Sequence, residues 1–222
     1  MNVKIQFTYF SKENVVFESD WFPLEKANRV IKDLSETSRI NEIQIIDENG
    51  RHWTPKEARK LLQIRAAEPH NIRLYFDASF DKASGDAGVG YCLYYKIGDN
   101  EIRLRRSRKL SEIEHSSEAE YIALYHVFDL IEEEELTGLD CTIYGDAKGV
   151  IMQMIGEWPC LDENLNRWLD RTEERVKKLK LQPSYRYIDR KQNIEAHRLS
   201  KKGMEGIEQD SKLERYEEED HR

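Results

Sequence analysis

Two different arrangements of apolar and polar residues divide the chain near residue 70. The segment 1–66 combines short strand-like runs with two helical patterns, the first of which places apolar residues at helical spacing over 24–36. The second helix is predicted from Thr54, a residue type that caps helices, and from Pro55 at the first helical position. We therefore predict a small α+β accessory domain over 1–66, whose role the pattern does not indicate.

The pattern changes from residue 72 onward. Apolar strand-like runs are predicted at 72–80, 87–99, 100–110, 140–146 and 184–190. A long amphipathic helix is predicted at 116–134, and further helices lie between and after the last two strands. This order predicts an α/β domain with a mixed sheet, in which an antiparallel meander is followed by parallel crossover strands.

Composition and charge narrow the possible environments. No apolar run approaches the roughly 18 residues of a membrane span, and the first residues lack a signal pattern. Three cysteines without CxxC spacing, Cys92, Cys141 and Cys160, favour reduced thiols. We therefore expect a cytoplasmic protein with no membrane partner.

The acidity of the chain is concentrated at its C-terminal end. The formal net charge is −8, and residues 205–222 carry eight acidic and three basic residues. The rest of the chain is close to neutral and stays compatible with phosphate binding. We expect 204–222 to be an acidic tail, either a frayed helix or disordered.

Three acids stand where a catalytic site could form. Asp77 ends the first strand of the second segment, Asp146 ends the fourth strand, and Glu120 lies one turn into the long helix. The carboxyl ends of sheet strands surround the place where open α/β sheets bind ligands. Clustered carboxylates repel one another, and they are usually held together by divalent metals, which can activate water against a phosphodiester. The alternative interpretation is that these are ordinary acids at points where the chain turns.

Five segments carry a family resemblance, in the order YFDASF, AGVGYCL, SSEAEYIAL, YGDAKGVI and RKQNIEAHRLS. Their order and spacing resemble the type 1 ribonuclease H family, including its bacterial reverse transcriptase-like members, over residues 71–203. The resemblance implies a ribonuclease H-like five-stranded mixed sheet flanked by helices. It also implies a metal-dependent endonuclease that binds RNA–DNA hybrids and cuts their RNA strand.

The resemblance assigns roles to particular residues. Asp77, Glu120 and Asp146 match the catalytic carboxylates, which in that family hold two Mg²⁺ or Mn²⁺ ions. Four further positions are implied to bind substrate: Ser79, Ser116, Ser117 and Asn193. Of these, Ser116 and Ser117 match the surface that lines the hybrid's minor groove, where 2′-hydroxyls are read.

The fourth catalytic position departs from the family pattern N-x-x-A-D-x-L-A. Asn193, Ala196 and Leu199 fit that pattern, but His197 occupies the place of the aspartate. A neutral imidazole removes one negative charge and one hard oxygen ligand, and it suits Mn²⁺ or Zn²⁺ better than Mg²⁺. His197 could ligate a metal or orient a water, it could hydrogen-bond a phosphate or an acid beside a three-carboxylate site, or it could mark a site without activity.

Three functions therefore stay open. The first is a ribonuclease H that is weak or prefers Mn²⁺ because of His197. The second is a catalytically inactive module of the same fold that binds nucleic acid or a partner. The third is a nuclease acting on another structured nucleic acid, since one fold can host several chemistries.

The basic run RLRRSRK at 103–109 is predicted to lie on a strand at the sheet edge. Its charges either protect that edge from aggregation or contact phosphates without reading sequence.

Overall fold

The computed structural model describes residues 1–215, and residues 216–222 lie outside the described part. The described chain forms two compact units, an N-terminal unit of Met1–Glu68 and a C-terminal unit that begins at Pro69. In this described part, no helix is long and apolar enough to cross a membrane.

The N-terminal unit is an antiparallel sheet with two helices. Its elements are β1 (Asn2–Tyr9), β2 (Val15–Glu18), β3 (Phe22–Pro23), α1 (Leu24–Ser35), β4 (Ile40–Asp47), β5 (His52–Trp53) and α2 (Pro55–Ala67). The strands follow the order β2-β1-β4-β5, and β3 also pairs with β1. Thr54 and Glu57 cap α2 reciprocally, since each accepts a hydrogen bond from the backbone N–H of the other. A small core of Val3, Ile5, Ile31 and Ile45 joins the sheet to the helices.

The C-terminal unit is a mixed sheet flanked by helices. Its elements are β6 (His70–Asp81), β7 (Asp86–Ile97), β8 (Asn100–Leu110), α3 (Ser116–Glu133), β9 (Asp140–Gly145), α4 (Lys148–Ile155), α5 (Glu163–Lys178), β10 (Gln182–Tyr187), α6 (Ile194–Met204) and β11 (Gln209–Arg215). The strand order is β10-β9-β6-β7-β8-β11. β9 runs parallel to β6 and β10, whereas the pairs along β6, β7, β8 and β11 are antiparallel. The predicted meander with parallel crossover strands is confirmed.

The two faces of this sheet are covered differently. Successive side chains of a strand point to opposite faces, so Phe76 lies in the main core with α3 while Asp77 faces α6. Helix α6 lies very close to β7 because Gly90 has no side chain. A Cβ atom on Gly90 would stand 2.2 Å from the backbone nitrogen of Ser200. Two residues of α6, His197 and Ser200, are thereby brought to Asp77.

The sheet has six strands, whereas the sequence predicted five. Strand β11 pairs with β8 along its length, from Gln209 opposite Ser107 to Arg215 opposite Glu101. The expectation of a frayed or disordered tail is therefore wrong for Gln209–Arg215; the remainder of the predicted tail, 216–222, lies outside the described residues.

The basic strand β8 is consequently not an edge strand. Its buried Arg106 contacts Glu133 at 2.7 Å and Asp210 of β11 at 2.8 Å. Arg103 approaches Glu195 of α6 at 3.3 Å. Since these guanidinium groups pair with acids of the same chain, the structure gives no support to their interpretation as phosphate contacts.

Candidate active site

Two aspartates meet where β9 ends beside β6. The expectation that Asp77 ends its strand is wrong, because β6 continues past it to Asp81 and stays paired with β7. Phe76 of β6 pairs with Gly145 of β9, so the next residues, Asp77 and Asp146, come side by side. Asp77 is 3% exposed. Burial is the main cause that raises the pKa of its carboxyl, and the charge of Asp146 raises it further.

Glu120 approaches the same place from α3, the helix packed on the other side of β6. The backbone N–H of Ala78 donates a hydrogen bond to its carboxylate, next to Asp77 in the chain. Burial raises the pKa of Glu120 well above its ordinary value, and the charges of Asp77 and Asp146 add to the effect. One carboxylate oxygen, Oε2, is buried without a hydrogen-bond partner in the described part of the chain. Three carboxylates therefore share one electrostatic site.

Asn193 joins α6 to this site. Its buried side-chain amide donates to Oδ1 of Asp146 and to the carbonyl oxygen of Phe76, both at 2.8 Å. The residue precedes the first turn of α6 but makes no side-chain cap to that helix. Asn193 thus holds Asp146 against strand β6, and its predicted role in substrate binding stays a prediction.

His197 lies directly beside Asp77. Its Nδ1 atom is 3.2 Å from Oδ2 of Asp77, and its side chain is 19% exposed. Nη2 of Arg190, in the loop before α6, lies 3.1 Å from Nε2 and 3.3 Å from Nδ1 of the same ring. The substitution at the fourth position therefore places an imidazole between an acid and a guanidinium group.

The remaining residues predicted to bind substrate lie in two different parts of the C-terminal unit. Ser79 lies two residues after Asp77 on the same face of β6, and its hydroxyl is 2.9 Å from that of Ser200. Ser116 and Ser117 are exposed in the first turn of α3. No contact ties those two serines to the carboxylates, and their substrate role stays a prediction.

Two residues that touch the site were missed from the sequence, Arg190 and Ser200. Ser200 is fully buried and donates a hydrogen bond to Oδ2 of Asp77. It stands three residues after His197, and side chains at that spacing share one face of a helix. The spacing of His197 and Ser200 could therefore have identified Ser200 from the sequence. No comparable pattern in the loop before α6 pointed to Arg190.

The donor chemistry of the site fits a hard divalent cation. Its ligand atoms are carboxylate oxygens, which Mg²⁺ and Mn²⁺ prefer, and the partnerless Oε2 of Glu120 is a buried oxygen of this kind. As oriented, no three His, Cys, Asp or Glu side chains within residues 1–215 enclose an ion. Asp77 turns Oδ2 toward α6, and Asp146 turns Oδ1 toward Asn193.

The model of the family described as reverse transcriptase-like matches residues 75–203. This stretch contains all three carboxylates and His197. The chain belongs to this family.

One sequence relative and two solved structures are similar to this reverse transcriptase-like protein, and the two structures share its ribonuclease H-like fold. The uncharacterized protein YpeP of Bacillus subtilis (strain 168) is 39% identical over 201 residues, which covers 90% of this chain and 88% of that one. A solved structure of ribonuclease H1 from the halophilic archaeon Halobacterium salinarum NRC-1 is 22% identical, with a TM-score of 0.53, and covers 62% of this chain and 99% of its own. LC11 ribonuclease H1, solved in complex with an RNA/DNA hybrid, is 20% identical, with a TM-score of 0.55, and covers 61% of this chain and 98% of its own.

Proposed function

We propose that this protein is a divalent-metal-dependent endonuclease that hydrolyses the RNA strand of RNA–DNA hybrids. The observation that carries the proposal is the meeting of Asp77, Glu120 and Asp146 from two parallel strands and one helix. Burial and mutual repulsion raise the pKa values of Asp77 and Glu120, and such an arrangement is costly unless a cation offsets it. Perturbed carboxylates of this kind are typical of functional sites.

The three carboxylates would hold one or two Mg²⁺ or Mn²⁺ ions. Bound there, such ions would supply an activated water and neutralise charge on the phosphodiester. Asn193 would keep Asp146 in place through its 2.8 Å hydrogen bond. Because His197 provides no carboxylate, we expect weaker activity with Mg²⁺ than a four-acid site would give. A preference for Mn²⁺ would follow if the imidazole itself ligated the ion.

A cleavage assay with a labelled RNA–DNA hybrid tests the proposal. The full chain is incubated with Mg²⁺ or Mn²⁺, beside Asp77→Asn and the control Asp81→Asn. Asp81 ends the same strand but is exposed and accepts local turn hydrogen bonds from Ala83 and Ser84. We expect metal-dependent cutting that Asp77→Asn abolishes and Asp81→Asn retains. If neither metal supports cutting by the wild type, the proposal fails.

One specific observation favours the inactive module as a second candidate. The imidazole of His197 stands beside Asp77, at the position where the family pattern has a fourth carboxylate. Hybrid binding by the wild type without turnover under either metal would support that candidate. Double-stranded RNA and structured DNA, tested in the same assay, would identify a nuclease with a different substrate.

A further inference from the structure

A buried hydroxyl on α6 is directed at the first catalytic carboxylate. Ser200 is fully buried, and its Oγ lies within hydrogen-bond reach of Asp77 Oδ2, of Ser79 Oγ at 2.9 Å and of the His197 carbonyl at 3.0 Å. A hydroxyl has one proton to donate, and an ionised carboxylate only accepts. Since hydrogen bonds to a charged acceptor are the stronger ones, Ser200 donates to Asp77, and Ser79 can in turn donate to Ser200.

His197 reaches the same oxygen of Asp77 from one turn earlier in α6. Arginine can only donate hydrogen bonds, so a ring nitrogen facing Arg190 must accept. Arg190 Nη2 lies 3.1 Å from Nε2 and 3.3 Å from Nδ1, but only Nδ1 faces Oδ2 of Asp77, at 3.2 Å. Since an ionised carboxylate only accepts, Nδ1 carries the proton and Nε2 is the acceptor. This tautomer is assigned from the partners of the two nitrogens. In it, both ring nitrogens are engaged, and neither offers a free lone pair to a metal.

We infer that Ser200 and His197 are positioning residues, whose two hydrogen bonds fix Oδ2 of Asp77 and leave Oδ1 to face the cation. This inference rests on the proposed metal-dependent function. A carboxylate held by two donors from one helix cannot rotate freely, and the approach of α6 to β7 at Gly90 keeps that helix in place. Hydrogen bonds from Ser200 and His197 to Oδ2 also favour the ionised carboxylate that a metal ligand needs.

His197 could be a metal ligand or a hydrogen-bond donor to Asp77, and substitutions by asparagine and by alanine distinguish these two roles. If the imidazole is a metal ligand, replacing it by asparagine or by alanine removes the ligand in both cases. If it is a hydrogen-bond donor to Asp77, asparagine can keep the donor, because its amide nitrogen is close in position to Nδ1 of histidine, whereas alanine cannot.

The deciding measurement is Mn²⁺ binding to the full chain by isothermal titration calorimetry, with hybrid cleavage measured in parallel. We expect Ser200→Ala and His197→Ala each to weaken Mn²⁺ binding by about tenfold, the size typical of groups that orient a ligand. His197→Asn should stay within about threefold of the wild type. Where cleavage is present, kcat should fall with the affinity while KM for the hybrid stays unchanged.

Ser107→Ala is the matched control. Ser107 is equally buried, but its hydroxyl bonds to Ile207 and Gln209, away from the carboxylates. Its loss should lower stability without changing Mn²⁺ affinity, so that destabilisation alone cannot imitate the predicted effect.

The outcomes are distinct. Wild-type affinity in Ser200→Ala, or absence of Mn²⁺ binding by the wild type, overturns the inference. Equal losses in His197→Asn and His197→Ala overturn the part concerning His197. If the predicted affinities are found but no nucleic acid is cut, the positioning role holds and the proposed nuclease function fails.

Discussion

Glu120 is the acid whose charge the fold accommodates least well, and Glu120→Gln should therefore make the protein more stable. The wild-type residue is half-buried near Asp77 and Asp146, and its Oε2 atom is buried with no partner among the described residues. Glutamine has nearly the same shape, carries no charge and can donate its amide hydrogens to a neighbouring carboxylate. The substitution thus removes a repulsion and satisfies a buried polar position.

The expected gain in stability of Glu120→Gln follows from the free-energy cost of an unsatisfied buried polar atom. Such an atom costs about 1–3 kcal/mol, and we expect most of this to be recovered, so that the free energy of unfolding of the C-terminal unit rises by about 1–2 kcal/mol. For a domain of this size, that gain raises Tm by roughly 2–8 °C. Differential scanning calorimetry of the full chain, without added metal, measures it directly.

The stabilisation expected from Glu120→Gln depends on pH, and the raised pKa of Glu120 sets the direction of that dependence. The pKa of Glu120 is raised in the folded state, so the folded protein keeps this proton at a pH where the unfolded chain has lost it. Wild-type stability therefore falls as pH rises from the unfolded-state value, about 4.3, through the raised folded value. The advantage of Glu120→Gln should be absent below that window and complete above it.

Glu118→Gln provides the control from the same helix. Both oxygens of Glu118 already have partners, the backbone N–H of Glu114 at 3.0 Å and the side chain of Asn164 at 3.1 Å. This variant should be unchanged or less stable than the wild type. An unchanged or lower Tm in Glu120→Gln, or an equal gain in Glu118→Gln, would refute the electrostatic argument.

Three further predictions concern the fold. Gly90→Ala should lower the free energy of unfolding by more than about 2 kcal/mol, because its Cβ would meet the backbone of α6 at 2.2 Å; urea denaturation measures this. Deleting residues 209–222 should lower Tm and promote association, seen by size-exclusion chromatography, since β8 becomes an unpaired edge and Arg106 loses Asp210. Thr54→Ala should destabilise the N-terminal unit by about 1 kcal/mol through loss of the α2 cap, measured by calorimetry.

The position of the acids could be predicted because it depends on local patterns. Asp77 and Asp146 each follow an apolar run, and the parallel register of β6 and β9 sets Phe76 opposite Gly145, so that the two next residues lie side by side. Glu120 could be placed from the periodicity of its helix, which begins at Ser116 as predicted. The orientation of the carboxylates could not be predicted, because it depends on Ser200 and Asn193, which are distant in sequence from the acids that they contact.

Strand β11 could not be predicted for a different reason. Its sequence, QDSKLER, has one large apolar residue, Leu213, and so lacks the alternation that marks a half-buried strand. The strand pairs with β8 through its backbone, and its side chains add ion pairs such as Asp210 with Arg106 and Lys212 with Glu134. Such pairing depends on the partner strand, so the pattern of apolar residues within β11 does not predict it.

The glycines of β7 explain why segments far apart in the sequence act as one site. Cβ atoms on Gly88 and Gly90 would lie 2.1 Å from the backbone nitrogen of Met204 and 2.2 Å from that of Ser200, so only glycine lets α6 pack this closely. That distance brings Ser200 and His197 to Asp77. A larger residue at Gly90, the residue paired with Asp77 across the sheet, would therefore move the donors away from the carboxylate of Asp77. The AGVGYCL segment belongs to the site through packing, although it supplies no catalytic group.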